Sequence, residues 1–155
     1  MNKNATIALP QQKPKACVMK LRNWPIEQLP GLSDRHKEGL KKCGITTTGQ
    51  LLRTANTPET KLALAHQLGI HIQYMNKWVA LAELAGIPTV GCQYSGLLLH
   101  AGVGSVKLLA EMPAYKVHQQ ILRIQVAMMQ RKDLCPTPDR VAQWVQQARL
   151  LVRKL

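Results

Sequence analysis

Apolar residues recur along most of this chain at the spacing of amphipathic helices. From Trp24 onward the pattern is helical, and no segment shows the sustained alternation that a strand requires. A helix is predicted from about His71 to Ala85, and another at the end of the chain. The pattern therefore predicts an all-α protein. The apolar faces of these two helices consist of Ile72, Met75, Val79 and Ala82, and of Val141, Trp144, Val145, Ala148 and Val152.

Two helix starts carry the same local signal. Thr57-Pro58-Glu59 and Thr137-Pro138-Asp139 each combine a hydroxyl residue, a proline and an acid. A Thr side chain caps the first free amides, proline suits the first helical position, and the acid complements the helix dipole. Both tripeptides are therefore predicted to begin helices.

The chain also contains an internal repeat with an offset of 58 residues. A segment that begins at Ile26 matches one that begins at Leu84, and Trp-Val pairs follow at similar places in both halves. Repetition at a fixed offset is typical of a duplicated structural unit. The matched residues are Pro30 with Pro88, Leu40 with Leu98, Gly44 with Gly102, and Leu51 with Leu109.

Each half is predicted to contain the same succession of elements. A short helix ends at a proline, a tight turn follows, and a second helix runs to a glycine that suits a left-handed stop. A Thr or Ser then begins another short helix, and two longer helices complete the half. The predicted domains are a flexible basic tail over 1–22, a first module over 23–83 and a second over 84–155.

The charge balance points to a polyanionic partner. Lys and Arg number 21 against 8 Asp and Glu, so the net charge is +13. Nucleic acid, an anionic membrane and an acidic protein surface all remain open, as does a charge that serves solubility alone. The tail is either a basic arm or a disordered terminus without a role. Its basic residues are Lys3, Lys13, Lys15, Lys20 and Arg22.

The cysteines and the N-terminal sequence indicate a cytoplasmic protein. No Cys-x-x-Cys pair occurs, and no histidine stands at zinc-ligand spacing, so neither metal nor cofactor is expected. Cys43 and Cys92 fall inside predicted helices, where a small buried thiol is the ordinary interpretation. The segment from Met1 to Gln12 lacks the apolar run of a signal peptide, and no apolar stretch is long enough to span a membrane.

At the two turns the sequence resembles the helix-hairpin-helix superfamily. Its hairpin has the pattern Pro-Gly-hydrophobic-Gly, and Pro30-Gly31-Leu32-Ser33 and Pro88-Thr89-Val90-Gly91 occupy the matching positions. Over about residues 24–152 the layout is similar to an uncharacterised bacterial family of duplicated helix-hairpin-helix domains. The resemblance implies binding of DNA without sequence preference, through hairpin amides that meet phosphate at a helix N-terminus.

Each hairpin departs from that pattern at one glycine. In the first, Ser33 replaces the second glycine and can cap its own helix, and the negative charge of Asp34 follows. In the second, Thr89 replaces the first glycine, and Gln93 is among the uncharged residues at the helix start. The sequence thus predicts a self-capped first hairpin with cations nearby and an open second hairpin at Gly91.

Basic residues gather on and around the helix after the first hairpin. Arg35, Lys37, Lys41 and Lys42 could form a phosphate-contacting face, or they could be an ordinary solvated helix surface. Further basic patches are possible at Arg123, Arg131 and Lys132, and at Arg149, Arg153 and Lys154.

Catalysis finds little support in the sequence. No nucleophile elbow, Walker loop or paired carboxylates are found, and no Asp lies between Asp34 and Asp133, where a helix-hairpin-helix glycosylase would need one. Trp78 and Trp144 are predicted to pack in the core.

The leading hypothesis is a non-catalytic accessory protein that binds nucleic-acid backbone, DNA rather than RNA, without sequence preference. The alternative is a helical adaptor that docks on an acidic protein assembly. The candidate nucleic-acid contacts are Gly31, Ser33, Arg35, Lys37, Lys41, Lys42, Gly91 and Gln93.

Overall fold

The computed structural model describes residues 20–125 and 135–154, and these residues form an all-helical protein. Eight α-helices and one short 3₁₀ turn, Ile26–Gln28, account for its regular structure, and no strand occurs among the described residues. None of these helices is long and apolar enough to cross a membrane. The helices are α1 Asp34–Lys42, α2 Thr48–Thr54, α3 Pro58–Leu68, α4 Ile72–Ala85, α5 Gly91–His100, α6 Val106–Glu111, α7 Ala114–Ile124 and α8 Pro138–Lys154.

The helix starts lie where the sequence signals place them. The hydroxyl of Thr57 caps α3 by accepting a hydrogen bond from the N–H of Thr60. In turn, the N–H of Thr57 donates to the hydroxyl of Thr60. The hydroxyl of Thr137 accepts from the N–H of Arg140 at the start of α8. At the start of α4, Nδ1 of His71 accepts from the N–H of Gln73 at 3.1 Å. Local capping chemistry therefore fixes these boundaries.

The predicted left-handed stops are also present. Gly44 and Gly102 have φ angles of +83° and +93°, immediately after α1 and α5. The residue after each glycine donates a hydrogen bond from its N–H to a carbonyl of the preceding helix. These bonds join Ile45 to Leu40 and Val103 to Leu98, both at 2.9 Å. Equivalent positions in the two halves thus make the same hydrogen bonds.

Contacts between helices follow the same correspondence. In the first half, α4 packs against α2 and α3, and α1 packs against α3. In the second half, α8 packs against α6 and α7, and α5 packs against α7. Each set surrounds its own hydrophobic cluster, and α4 also packs against α5 where the clusters meet.

The two tryptophans predicted to lie in the core do so. Trp78 is 1% exposed on α4 and Trp144 is 0% exposed on α8, an offset of 66 residues. Four further pairs of buried residues on these helices align at that offset too. The aligned pairs are Met75 with Val141, Val79 with Val145, Ala82 with Ala148, and Ala85 with Leu151.

Two boundary predictions need correction. Cys43 is not inside a helix, because α1 ends at Lys42 and the half-buried Cys43 is its C-terminal cap; Cys92 does lie within α5. The end of the predicted tail is also fixed to the fold, since the N–H of Arg22 donates to the carbonyl of Gly86 at 2.7 Å. Residues 1–19 of that tail lie outside the described residues.

Replacing Gly44 with Ala should destabilise the protein by about 1–2 kcal/mol. No neighbouring atom lies within 4 Å of the added methyl group, so the cost comes from the positive φ alone. Gly96→Ala is the matched control: this helical glycine of α5 has room, with Pro30 Cγ 4.0 Å away, so the change should stabilise by roughly 0.5–1 kcal/mol. Urea unfolding measures both, and equal signs would contradict this account.

Candidate functional site

The first turn presents a cluster of backbone amides. Gly31 is exposed with a φ of +85°, a conformation that residues with side chains seldom adopt. Among the described residues, no acceptor of the protein receives a hydrogen bond from the N–H of Gly31, Leu32 or Ser33. Three consecutive amides therefore precede the N-terminus of α1 without an acceptor in the described part of the chain.

Ser33 caps α1 as predicted. Its hydroxyl accepts from the N–H of His36 at 3.2 Å and lies 3.0 Å from Nδ1 of the same residue. The cap therefore occupies an amide inside the helix, and the three amides of the turn are not used by it. The first turn therefore combines a helix capped by Ser33 with backbone amides that have no acceptor among the described residues.

The second turn is closed by α8. Oε1 of Gln147 accepts from both the N–H and the hydroxyl of Thr89, at 3.2 and 2.8 Å. The indole Nε1 of Trp144 donates to the carbonyl of Thr89 at 3.1 Å. Every polar group of Thr89 thus has a partner on the last helix.

The expectation of an open second hairpin at Gly91 is wrong. The N–H groups of Val90 and Gly91 both donate to the carbonyl of Ile87, at 3.0 and 3.1 Å. Gly91 is buried, and a methyl group placed on it would lie 3.4 Å from the ring of Trp24. Gln93 is exposed at the start of α5, and the N–H of Tyr94 beside it donates to the carbonyl of Val90 at 3.2 Å.

One side chain accounts for the difference between the turns at their first amide, that of Thr89 or Gly31. At the offset that aligns α4 with α8, Leu81 stands where Gln147 stands, so α4 has no side-chain acceptor there for the amide of Gly31. Trp78, the counterpart of Trp144, has its Nε1 buried, and no hydrogen-bond partner for it occurs within residues 20–125 and 135–154. Helix α4 therefore packs against the first turn by apolar contact. The amides of that turn have no acceptor among the described residues.

Lys77 is the described cation nearest to Gly31 in the open turn, and sequence reasoning missed it. A methyl group placed on Gly31 would lie 3.8 Å from Cε of Lys77 and 4.0 Å from its Nζ. Lys77 is exposed on α4, and Tyr74, one turn earlier, is 54% exposed and contacts the ring of His36. No local pattern links residue 77 to residue 31, since only the packing of α4 under the turn brings them together.

The predicted basic cluster is divided between two sides of α1. Lys41 forms a salt bridge with Glu27, and this contact, with Lys37 adding positive charge nearby, lowers the pKa of Glu27. Arg35 and Lys42 instead line a shallow groove of about 390 Å³ on the side facing α3 and α4. The four residues do not form one continuous face.

The other basic patches are only partly described. Arg131 and Lys132 lie outside the described residues, as do the side chains of Arg153 and Lys154. Arg149 donates from Nε to the carbonyl of Ala110 at 3.0 Å.

Among the residues that the structure describes, no three His, Cys, Asp or Glu side chains gather closely enough to hold a metal ion. Burial raises the pKa of the Cys92 and Cys135 thiols.

This chain belongs to a family of domains whose function is unknown. Residues 30–151 match the family described as Domain of unknown function (DUF4332). The match covers both turns and all of α1 to α7. No curated protein and no solved structure shows a significant match to the chain.

Gln147→Ala should destabilise the protein by about 1–2 kcal/mol, because the half-buried amide and hydroxyl of Thr89 lose their acceptor. Gln146→Ala removes the same group from an exposed neighbouring position and should change stability by less than about 0.5 kcal/mol. Thermal unfolding of both variants makes the comparison. Equal effects would mean that Gln147 does not hold the second turn.

Proposed function

We propose that this protein is a non-catalytic, duplicated helix-hairpin-helix protein that binds the phosphate backbone of nucleic acid, DNA rather than RNA, without sequence preference. One observation carries the proposal: the amides of Gly31, Leu32 and Ser33 have no acceptor among the described residues, and the ammonium group of Lys77 lies close to Gly31. Such an arrangement suits an anion with several acceptor oxygens.

The chemistry of the first turn fits a phosphate group. Amide N–H groups donate to phosphate oxygens, and the positive end of the α1 dipole favours a negative charge at the same place. Gly31 is exposed and has no side chain of its own, so the backbone at this position is accessible to a ligand. Contacts of this kind read the backbone and not the bases, so no sequence preference is expected.

Charge around the turn supports the same proposal. Arg35 lies two residues after Ser33 and is exposed, and Lys77 approaches the turn from α4. Asp34 opposes phosphate at the start of α1, but the net charge of the chain is +13. Attraction of a polyanion by the whole surface therefore adds to the local contacts.

The duplicated hairpin architecture rests on matching local structure. Three features recur in both halves. They are the helix stops at Gly44 and Gly102, the caps at Thr47 and Ser105, and the order in which helices pack in pairs. Such recurrence is expected of two copies of one unit that stack to complete a core.

A helical adaptor for an acidic protein assembly is the second candidate. It is favoured by the closed second turn, where Gln147 and Ile87 satisfy the amides that a second phosphate would need. With one open hairpin the affinity for nucleic acid is lower than for a protein with two. An acidic protein surface would still be attracted by the same positive field.

Lys77→Gln should weaken binding to a duplex of random sequence and reduce the slope of log affinity against log salt by about 0.9, the value for one phosphate contact. Lys116→Gln, an exposed cation of α7, is the matched control and should leave the slope unchanged. Fluorescence anisotropy at several salt concentrations measures both.

Equal slopes for the two variants would place the phosphate contacts elsewhere. Absence of any binding at low salt, for the unmodified chain, would favour the adaptor. A pull-down with and without nuclease separates these two functions.

Glu27→Gln should raise affinity for the duplex by a few-fold at low salt, because it releases Lys41 from its salt bridge on α1. Glu59→Gln makes the same change in net charge at an exposed position of α3 and should have a smaller effect. The two affinities are compared in one titration series. If both variants gain equally, net charge alone governs binding and the α1 surface has no special part.

A further inference from the structure

A largely apolar groove of about 450 Å³ lies where the two hydrophobic clusters meet. Its walls come from both halves: Leu52 of α2 and Val79 of α4 on one side, Val106 of α6 and Leu151 of α8 on the other. Small-molecule sites in proteins have volumes of roughly 300–1,000 Å³, are lined mainly by apolar groups and favour such junctions. The groove meets these conditions and is separate from the first turn.

The polar groups of this groove carry a surplus of positive charge. Lys20, Lys61, Asn56 and Glu83 line it beside the apolar walls. Oε1 of Glu83 accepts from the N–H of Val106 at 2.8 Å, so this carboxylate already serves the start of α6. Within the described part of the chain neither lysine takes part in a salt bridge, although Lys61 is half-buried.

We propose that this groove binds a small amphipathic anion, namely a monocarboxylate with an unbranched apolar chain. The chain would pack on Leu52, Val79 and Leu151, and the carboxylate would pair with the ammonium groups of Lys61 and Lys20. An ion pair at the edge of an apolar groove is stronger than one in open water, because the local dielectric constant is lower. Apolar burial supplies affinity and the lysines set the orientation of the ligand.

The charges argue for this occupant over the chain's own N-terminal segment. Residues 1–19 contain Lys3, Lys13 and Lys15 and no acidic residue, so like charges would meet at Lys20 and Lys61. A nucleotide base is also disfavoured, because none of the described residues that line the groove has an aromatic side chain for stacking.

Titration of dodecanoate into the full chain, below its micelle concentration, tests the proposal. Methyl NMR should show shifts at Leu52, Val79, Val106 and Leu151, while the methyl groups of the exposed Leu62 stay unchanged. By calorimetry, octanoate should bind at least about tenfold more weakly, because four methylene groups are lost. Dodecanol, which has the chain without the charge, should also bind more weakly than dodecanoate.

Lys61→Gln should reduce the dodecanoate affinity by about fivefold or more, and Lys116→Gln on α7 should not. Leu52→Glu provides a second variant, since it places a like charge against the ligand; circular dichroism verifies that each variant is folded. The proposal is overturned by absence of binding to the unmodified chain, by equal effects of the two lysine variants, or by methyl shifts that avoid the groove.

Discussion

Backbone amides in a tight turn must find acceptors, either within the protein or in the molecule that the protein binds. In the second half Gln147, Trp144 and the carbonyl of Ile87 satisfy the turn at Thr89–Gly91 from within. In the first half Leu81 stands where Gln147 would be, and the amides of the equivalent turn have no acceptor among the described residues. One position on each long helix thus decides whether the first amide of the turn has an acceptor, and the carbonyl of Ile87 satisfies the other two amides of the second turn. The proposed function depends on this difference.

Trp24 joins the two halves and explains why the second turn is buried. Its N–H and carbonyl exchange hydrogen bonds with the hydroxyl and N–H of Thr48, at 2.9 and 2.8 Å. Its indole Nε1 donates to the carbonyl of Ala85 at 2.8 Å, and its ring covers Gly91. The start of the first half, at Trp24, therefore packs on the second turn. That turn is part of the junction between the halves and is not an exposed surface. The same junction contains the apolar groove.

Features that depend on neighbouring residues could be predicted from the sequence, whereas features that depend on packing could not. The caps at Thr57 and Ser33 and the stop at Gly44 are decided within one helical turn, and all three were predicted correctly. The burial of Gly91 was not, because it depends on Trp24, which is distant in the chain. Lys77 likewise lies far from Gly31 in sequence and carries no motif. The division of the basic cluster also depends on packing, because it follows from the partner of each side chain. Lys41, for example, forms a salt bridge with Glu27.

The central claim is that the first turn, and not the second, offers its amides to phosphate. It is tested most directly by following the amide signals of both turns by ¹H–¹⁵N NMR while a duplex of random sequence is added at low salt. The account predicts progressive shifts for Gly31, Leu32 and Ser33, together with little change for Thr89, Val90 and Gly91. Equal shifts in both turns, or shifts confined to the second, would contradict it.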